Sequence, residues 1–287
     1  MRDISHWERI GFGGKSTLDK EELIDSETRQ RYLIKYPRQF AVGTSWEDIT
    51  ELIAADIGRL LGLQMMDVEI VVRNGRRGSL LRNIIPLGVA NEEGGVLLSG
   101  VVNYEEFLET RLKGLELIRA GIALMKQLDF WEATKLDFIE MNYFDILIGN
   151  QDRHPYNWMI LFKSQNQKEF SKIYDNGASL GFRFDDKQLA EYLSNDIKLA
   201  KYMRNASVKA GLFEHKKVKA KDMLTYLKQS YFGESLSIIN RIERFDFKRY
   251  YEIIDGYAIL SDIQKEWLKV IISFRQQSIL QWFREEE

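Results

Sequence analysis

Apolar positions in the first ninety residues fall in short runs bounded by turn signals, whereas after about residue 96 they recur at helical spacing. Residues 31–36, Arg-Tyr-Leu-Ile-Lys-Tyr, are rich in aromatic and branched side chains and end at Pro37, which predicts a strand. Residues 67–72 and 79–84 carry the same signature on either side of Arg73-Asn-Gly-Arg-Arg-Gly78, whose Asn-Gly predicts a hairpin. Between these strands, residues 46–61 predict a helix. Thr44-Ser-Trp-Glu47 reads as a capping box, and Ile49, Leu52, Ile53, Ile57 and Leu60 form the apolar stripe. Ala54, Ala55 and Gly58 allow that helix close approach to a sheet. Further on, the spacing predicts helices over 104–128, 130–148, 216–231, 236–254 and 261–284. Strand signals there are confined to 158–162 and 172–174, on either side of a polar turn at 163–169. The expected class is α+β, with a sheet-rich lobe (1–88) followed by a larger helical lobe (89–287).

Composition narrows the setting. With 41 Lys and Arg against 43 Asp and Glu, the net charge of −2 gives no bulk attraction to nucleic acid or to an anionic membrane. The basic clusters at 73–77 and 216–221 read as a solvated turn and a solvated helix start. Cysteine is absent, so neither disulfides nor thiolate metal sites are expected. The polar N-terminus lacks the apolar core of a signal peptide, and no apolar run reaches the roughly 18 residues of a membrane span. The expectation is a cytoplasmic protein without membrane or direct nucleic-acid contact.

Chemistry concentrates in two segments, Asn150-Gln-Asp-Arg-His-Pro-Tyr-Asn157 and Tyr174-Asp-Asn-Gly177. Asp152 precedes Asn157 by five residues, and Asp175 follows eighteen later. Phosphoryl transfer from a nucleoside triphosphate needs this set: a carboxylate to orient or deprotonate the attacking hydroxyl, and two oxygen ligands to hold magnesium against the phosphates. Asp152 is the candidate catalytic acid residue, and Asn157 and Asp175 are the candidate metal ligands. His154 either stabilises the transferred group or holds the loop, and Arg153 reads as a loop-bracing salt bridge. Asn176-Gly177 predicts a tight turn that lets Asp175 point into a cleft.

Gly11-Phe-Gly-Gly-Lys-Ser-Thr17 is the nucleotide-loop candidate, with Gly11, Gly13 and Gly14 admitting backbone amides to phosphate and Lys15 and Ser16 adding contacts. It is not a Walker A loop, because Arg9 stands where that pattern needs glycine. Lys35 lies inside an apolar strand, where an ammonium is costly unless paired. The next helix offers Glu51 as its partner, Glu47 being assigned to the cap. The reading that follows is an ATP- and magnesium-dependent kinase.

Together these blocks resemble the HipA-like kinases, a bacterial Ser/Thr protein kinase family. Gly11–Lys15 is similar to the family's glycine loop, Leu33-Ile-Lys-Tyr-Pro37 to its strand lysine, Asp152–Asn157 to its Asp-x-His-x-x-Asn loop and Ile173-Tyr-Asp175 to its metal-binding segment. The resemblance implies a two-lobed protein-kinase-like fold, with Lys35 on ATP, Asp152 catalytic, and Asn157 and Asp175 on magnesium. It also implies a protein hydroxyl as acceptor, with aminoacyl-tRNA synthetases among the family's targets, and the toxin of a toxin–antitoxin pair as a plausible role. Ser16, then Thr17, would be the autophosphorylation candidates. A compact form is expected, without the N-terminal subdomain of full-length members, and with an antitoxin or subdomain-like protein as possible partner. Asp175-Asn-Gly177 is also similar to phosphoinositide 4-kinases. A lipid or small-molecule kinase, or a silent nucleotide-binding module, therefore stays open as an alternative.

Overall fold

A computed structural model describes residues 1–12, 18–40, 43–164 and 167–285. The chain opens with β1 (Arg2–Asp3), β2 (Glu8–Gly11), β3 (Lys20–Ile24), β4 (Arg31–Lys35), β5 (Gln39–Phe40) and β6 (Gly43–Thr44). Helix α1 (Glu47–Leu60) leads into the hairpin β7 (Val68–Arg73) and β8 (Arg76–Arg82). These strands form a six-stranded sheet in the order β1-β7-β8-β4-β3-β2, with β5 and β6 pairing apart from it. The turn between β7 and β8 shrinks to Asn74-Gly75, both at positive φ (49° and 75°), the geometry that matches the twist of a two-residue hairpin.

The second half contains β9 (Ala90–Glu93), α2 (Gly94–Ser99), α3 (Tyr104–Glu109), α4 (Gly114–Met125) and α5 (Trp131–Ile148). After a 3-10 turn at Pro155–Asn157 come β10 (Met159–Ser164) and β11 (Gln167–Phe170), which complete a small sheet with β9. Helices α6 (Asp186–Leu193) and α7 (Asp196–Arg204) follow, then the short pair β12 (Ser207–Val208) and β13 (Val218–Lys219). Four helices close the chain: α8 (Ala220–Ser230), α9 (Phe232–Glu243), α10 (Phe247–Gly256) and α11 (Asp262–Arg284). The α+β expectation is met.

Two apolar cores hold these elements. A small one, built on Ile4, Trp7, Leu23, Ile34, Tyr36, Val71 and Leu80, lies on one face of the six-stranded sheet. The large one runs through the helices and takes in Ile49, Ile53 and Ile57 of α1. Helix α1 thus belongs to both halves by contact, packing on β7 and β8 while its apolar stripe joins the helical core. Gly58 admits the Met65 side chain, with which a Cβ would collide. Met65 in turn bridges to Ile173, just before Asp175.

Several local expectations are corrected. The helix expected over 104–128 is two helices, because residues 111–113 are exposed with no apolar face to bury and Gly114 turns the chain at φ 52°. The 236–254 helix breaks at Asp246, whose side chain accepts from the Arg249 amide and caps α10. Residues 172–174 pair with no strand and dock instead below α1, Ile173 N donating to Gln64 O at 2.8 Å and Met66 N to Ile173 O at 3.0 Å. Part of the expected turn at 163–169 is the strand β11. The capping box before α1 does not form: Trp46 is the N-cap, and Glu47 accepts from the Arg38 amide (2.7 Å) and Ser45 Oγ (3.0 Å). Arg73 is not solvated. It is buried, donating to Ile4 O and Trp7 O at 3.0 Å each and pairing with Glu21 at 3.2 Å, so it pins the N-terminal segment to the sheet. The cap between Ser261 and Gln264 forms as the sequence suggests.

Candidate active site

A cleft of about 730 Å³ separates the two halves, and Lys35, Glu51, Asp152, His154, Asn157 and Asp175 all line it. These residues come from a strand, a helix, the loop after α5 and the segment after β11. Of the nucleotide-loop candidates, Gly11 ends β2, while Gly13, Gly14, Lys15 and Ser16, with Thr17, lie outside the described residues.

Lys35 Nζ donates to Asp175 Oδ1 at 2.8 Å, closing the cleft from sheet to loop. The expected pairing of Lys35 with Glu51 is therefore corrected. Glu51 is 2% exposed and its oxygens are taken by the loop: Oε1 accepts from the Asn176 amide at 2.8 Å and Oε2 from the Gly177 amide at 2.9 Å. The helix glutamate anchors the segment that carries Asp175, and Asp175 takes the lysine. Burial alone would lower the Lys35 pKa, but the charges of Asp175, Glu51 and Glu47 outweigh it and raise it. Burial pushes Asp175 up, and the Lys35 charge more than reverses that, so its pKa lies below the usual carboxylate value. Glu51 goes the other way, raised by burial against the pull of Lys35.

The turn after Asp175 works differently from its sequence reading. Asp175 itself takes the left-handed conformation, φ 58°, which turns its carboxylate out of line. Gly177 serves close approach: a Cβ there would sit 2.8 Å from Glu47 O and 3.3 Å from Glu51 Oε2.

Arg153 is fully buried and braces the loop as expected. Nε and Nη2 grip both oxygens of Asp145 on α5 at 2.9 and 3.0 Å, Nη1 donates to Asn157 O at 2.8 Å and to Tyr174 O, and Nη2 to Asn176 Oδ1 at 2.6 Å. One guanidinium thus ties α5, the Asp152 loop and the Asp175 segment together. Asn150 adds to this by bonding Asp145 Oδ1 and accepting from the Asp152 amide, each at 3.0 Å. Asn157 Nδ2 donates to Asp152 O at 2.9 Å, which turns its Oδ1 away from the loop backbone. His154 is lowered in pKa by burial, and its Nδ1 is enclosed with no partner among the described residues.

Two lysines in the cleft carry no sequence motif. Lys20 stands opposite Lys35 across the β3–β4 ladder, where burial and the Lys35 charge lower its pKa. Lys209 Nζ donates to Asp152 Oδ1 at 2.7 Å across 57 residues of sequence. Lys20 had one faint signal, its place on the strand after the glycine loop; Lys209 had none.

The protein groups suit magnesium only as a partial shell. Among the described residues no cluster of three or more acidic, His or Cys side chains is placed to hold a metal. One carboxylate and one amide oxygen in a polar cleft match an ion that keeps waters and takes the rest of its ligands from substrate phosphates. The cleft volume lies within the roughly 300–1,000 Å³ typical of ligand pockets.

No protein-family model matches the chain. It is 31% identical over 153 residues to the serine/threonine-protein kinase CtkA of Helicobacter pylori, a match covering 52% of this chain and 46% of that protein, so the chain spans about half the length of the curated relative it matches. Among solved structures, the crystal structure of the H. pylori proinflammatory kinase CtkA superposes with a TM-score of 0.78 at 24% identity, over 98% of this chain and 96% of that one. HipA from Shewanella oneidensis, solved with HipB and operator DNA, gives a TM-score of 0.53 at 11% identity, over 98% of this chain and 66% of that chain. Both structural likenesses are likenesses of fold. No helix among the described residues is long and apolar enough to cross a membrane.

Proposed function

We propose that this chain is a HipA-like kinase and moves a phosphoryl group from ATP to a serine or threonine hydroxyl of another protein. The observation that carries the reading is the meeting of Lys35 and Asp175 at 2.8 Å in one cleft with Asp152 and Asn157, side chains drawn from distant parts of the chain. The two-lobe division, 1–88 and 89–287, is part of the same proposal, with the nucleotide between.

Lys35 and Lys20 would bind the phosphates, and the glycine loop would cover them. Asn157 and Asp175 would hold magnesium, which when bound offsets charge on the phosphates. Asp152 orients the acceptor hydroxyl and takes its proton. Lys209 occupies Asp152 Oδ1, so Oδ2 is left to face the acceptor. Arg153 holds both loops in register, and His154, whose charged form burial disfavours, supports the loop. The acceptor class comes from the curated relative, a serine/threonine-protein kinase. A cytoplasmic toxin role with an antitoxin partner extends the reading by the HipA–HipB likeness.

Incubation with γ-labelled ATP, magnesium and a mixture of soluble proteins should label a protein band, and Asp152→Ala should remove ~10²–10⁴-fold of the rate. Label appearing only in phosphoinositide vesicles would replace the protein-kinase reading with a lipid-kinase one. ATP binding with no transfer to any acceptor would leave a nucleotide-binding module and end the proposal.

A further inference from the structure

The two fully buried arginines of the helical half are compensated very differently. Arg153 has the Asp145 carboxylate and further oxygen acceptors around it. Arg275 on α11 is 2% exposed and has no carboxylate partner among the described residues. Its Nη1 donates to Ile146 O at 2.9 Å, Tyr202 offers a side-chain hydrogen bond as well as a ring centred 5.4 Å from the guanidinium, and Nε has no partner among the described residues. A buried guanidinium without an anion is a costly arrangement.

The groups around it offset that charge only in part. The carbonyl end of α5 contributes about half a negative charge, and the face of Tyr202 less. Arg275 lines a cavity of about 360 Å³ whose wall includes Lys198 and Lys201 and no aspartate or glutamate. Lys198 is engaged by Glu191 at 2.5 Å; Lys201 is exposed. Gln151, Asn205 and Ser207 add neutral polar groups, and Tyr192 and Tyr202 form an aromatic wall. A compact oxyanion is the ligand that such a cavity lacks, and a guanidinium fork matches its geometry.

We propose that this cavity is a binding site for a phosphate monoester, separate from the Lys35 cleft and lying behind the Asp152 loop. The site goes beyond the kinase reading and does not depend on it. Gly149, left-handed at φ 68°, packs against the Arg275 guanidinium so closely that a Cβ would collide with it. The next residue, Asn150, holds the Asp152 amide. An occupant on Arg275 therefore sits beside the hinge of the catalytic loop.

The test uses the full chain carrying Lys35→Met, which weakens anion binding in the cleft. Calorimetric titration with inorganic phosphate should show one site, and Lys201→Glu should weaken it ~10-fold, as for a charge reversed at the mouth of an electrostatic site. Arg275→Gln should abolish it; if that variant does not fold, the exposed Lys201→Glu decides. Crystals soaked in tungstate should show anomalous density against Arg275. Phosphoserine amide and AMP, titrated separately, tell a phosphorylated side chain from a free nucleotide as the source. Unchanged phosphate affinity in Lys201→Glu, meaning an adventitious ion only, or tungstate confined to the cleft, overturns the proposal.

Discussion

Lys35 and Asp175 are 140 residues apart in sequence and 2.8 Å apart in space, and each sets the charge of the other. Burial raises the Asp175 pKa, and the Lys35 charge is the largest of the groups that lower it, so loss of the lysine weakens the support for its carboxylate form. Lys35→Met should therefore lower phosphoryl transfer by at least ~10²-fold, through loss of a phosphate contact and weaker support for the Asp175 carboxylate, as measured by initial rates at saturating ATP. His154 makes a pH prediction. Its folded pKa lies below the ordinary 6.5 because burial disfavours the imidazolium. At pH values under 6.5 the unfolded chain takes up a proton that the folded one resists, so stability falls as pH drops from 6.5 toward the lowered pKa. Urea midpoints at pH 7.5 and 5.5 should show that fall, and His154→Gln should flatten it; an equal fall in the variant would assign it elsewhere. At this scale the meeting of Asp152, Asn157 and Asp175 in one cleft was legible, because the chemistry proposed for them restricts residue type and order. The partner of Lys35 was not legible, because a choice between Glu51 and Asp175 depends on which one the Asn176 and Gly177 amides occupy.

Arg153 and Gly177 act at the level of elements. Arg153 joins α5 to both loops, so Arg153→Met leaves Asp145 buried without its counter-charge. That loss should cost about 3–5 kcal/mol, read as a lower urea midpoint with unchanged m-value. Gly177→Ala forces a methyl to 2.8 Å from the Glu47 carbonyl, and the loop must lift from α1. We expect a loss of about 1–3 kcal/mol together with weaker nucleotide binding, because the displaced segment carries Asp175. Periodicity located α1, α5 and α11 nearly to the residue, and the Asn-Gly signal placed the β7–β8 turn, although β8 runs from Arg76 to Arg82 rather than over 79–84. Periodicity merged α3 with α4 and α9 with α10, where short non-helical links, 110–113 before Gly114 and 244–246 ending in the capping Asp246, interrupt the pattern. It also took 172–174 for a strand. Only Ile173 of that segment is buried, and it docks against the end of α1 rather than in a sheet.

Over the whole molecule, the sheet half has a core of its own of only seven buried side chains, whereas the stripe of α1 belongs to the helical core. Residues 1–88 expressed alone should therefore show no cooperative thermal transition by circular dichroism, while the full chain melts cooperatively. A cooperative melt of the fragment would mean that the smaller core suffices. What the chain determined by itself was the class of the fold and the set of polar side chains that meet in the cleft. Both follow from local rules: periodic burial sets the elements, and phosphate chemistry accepts few side chains in few orders. Tertiary structure alone decided which charges face one another. It delivered Lys20 and Lys209 to the cleft, gave Glu51 to the loop amides and left Arg275 buried without an anion. Those outcomes depend on Coulomb and desolvation energies across tens of residues of separation, where spacing along the sequence carries no information.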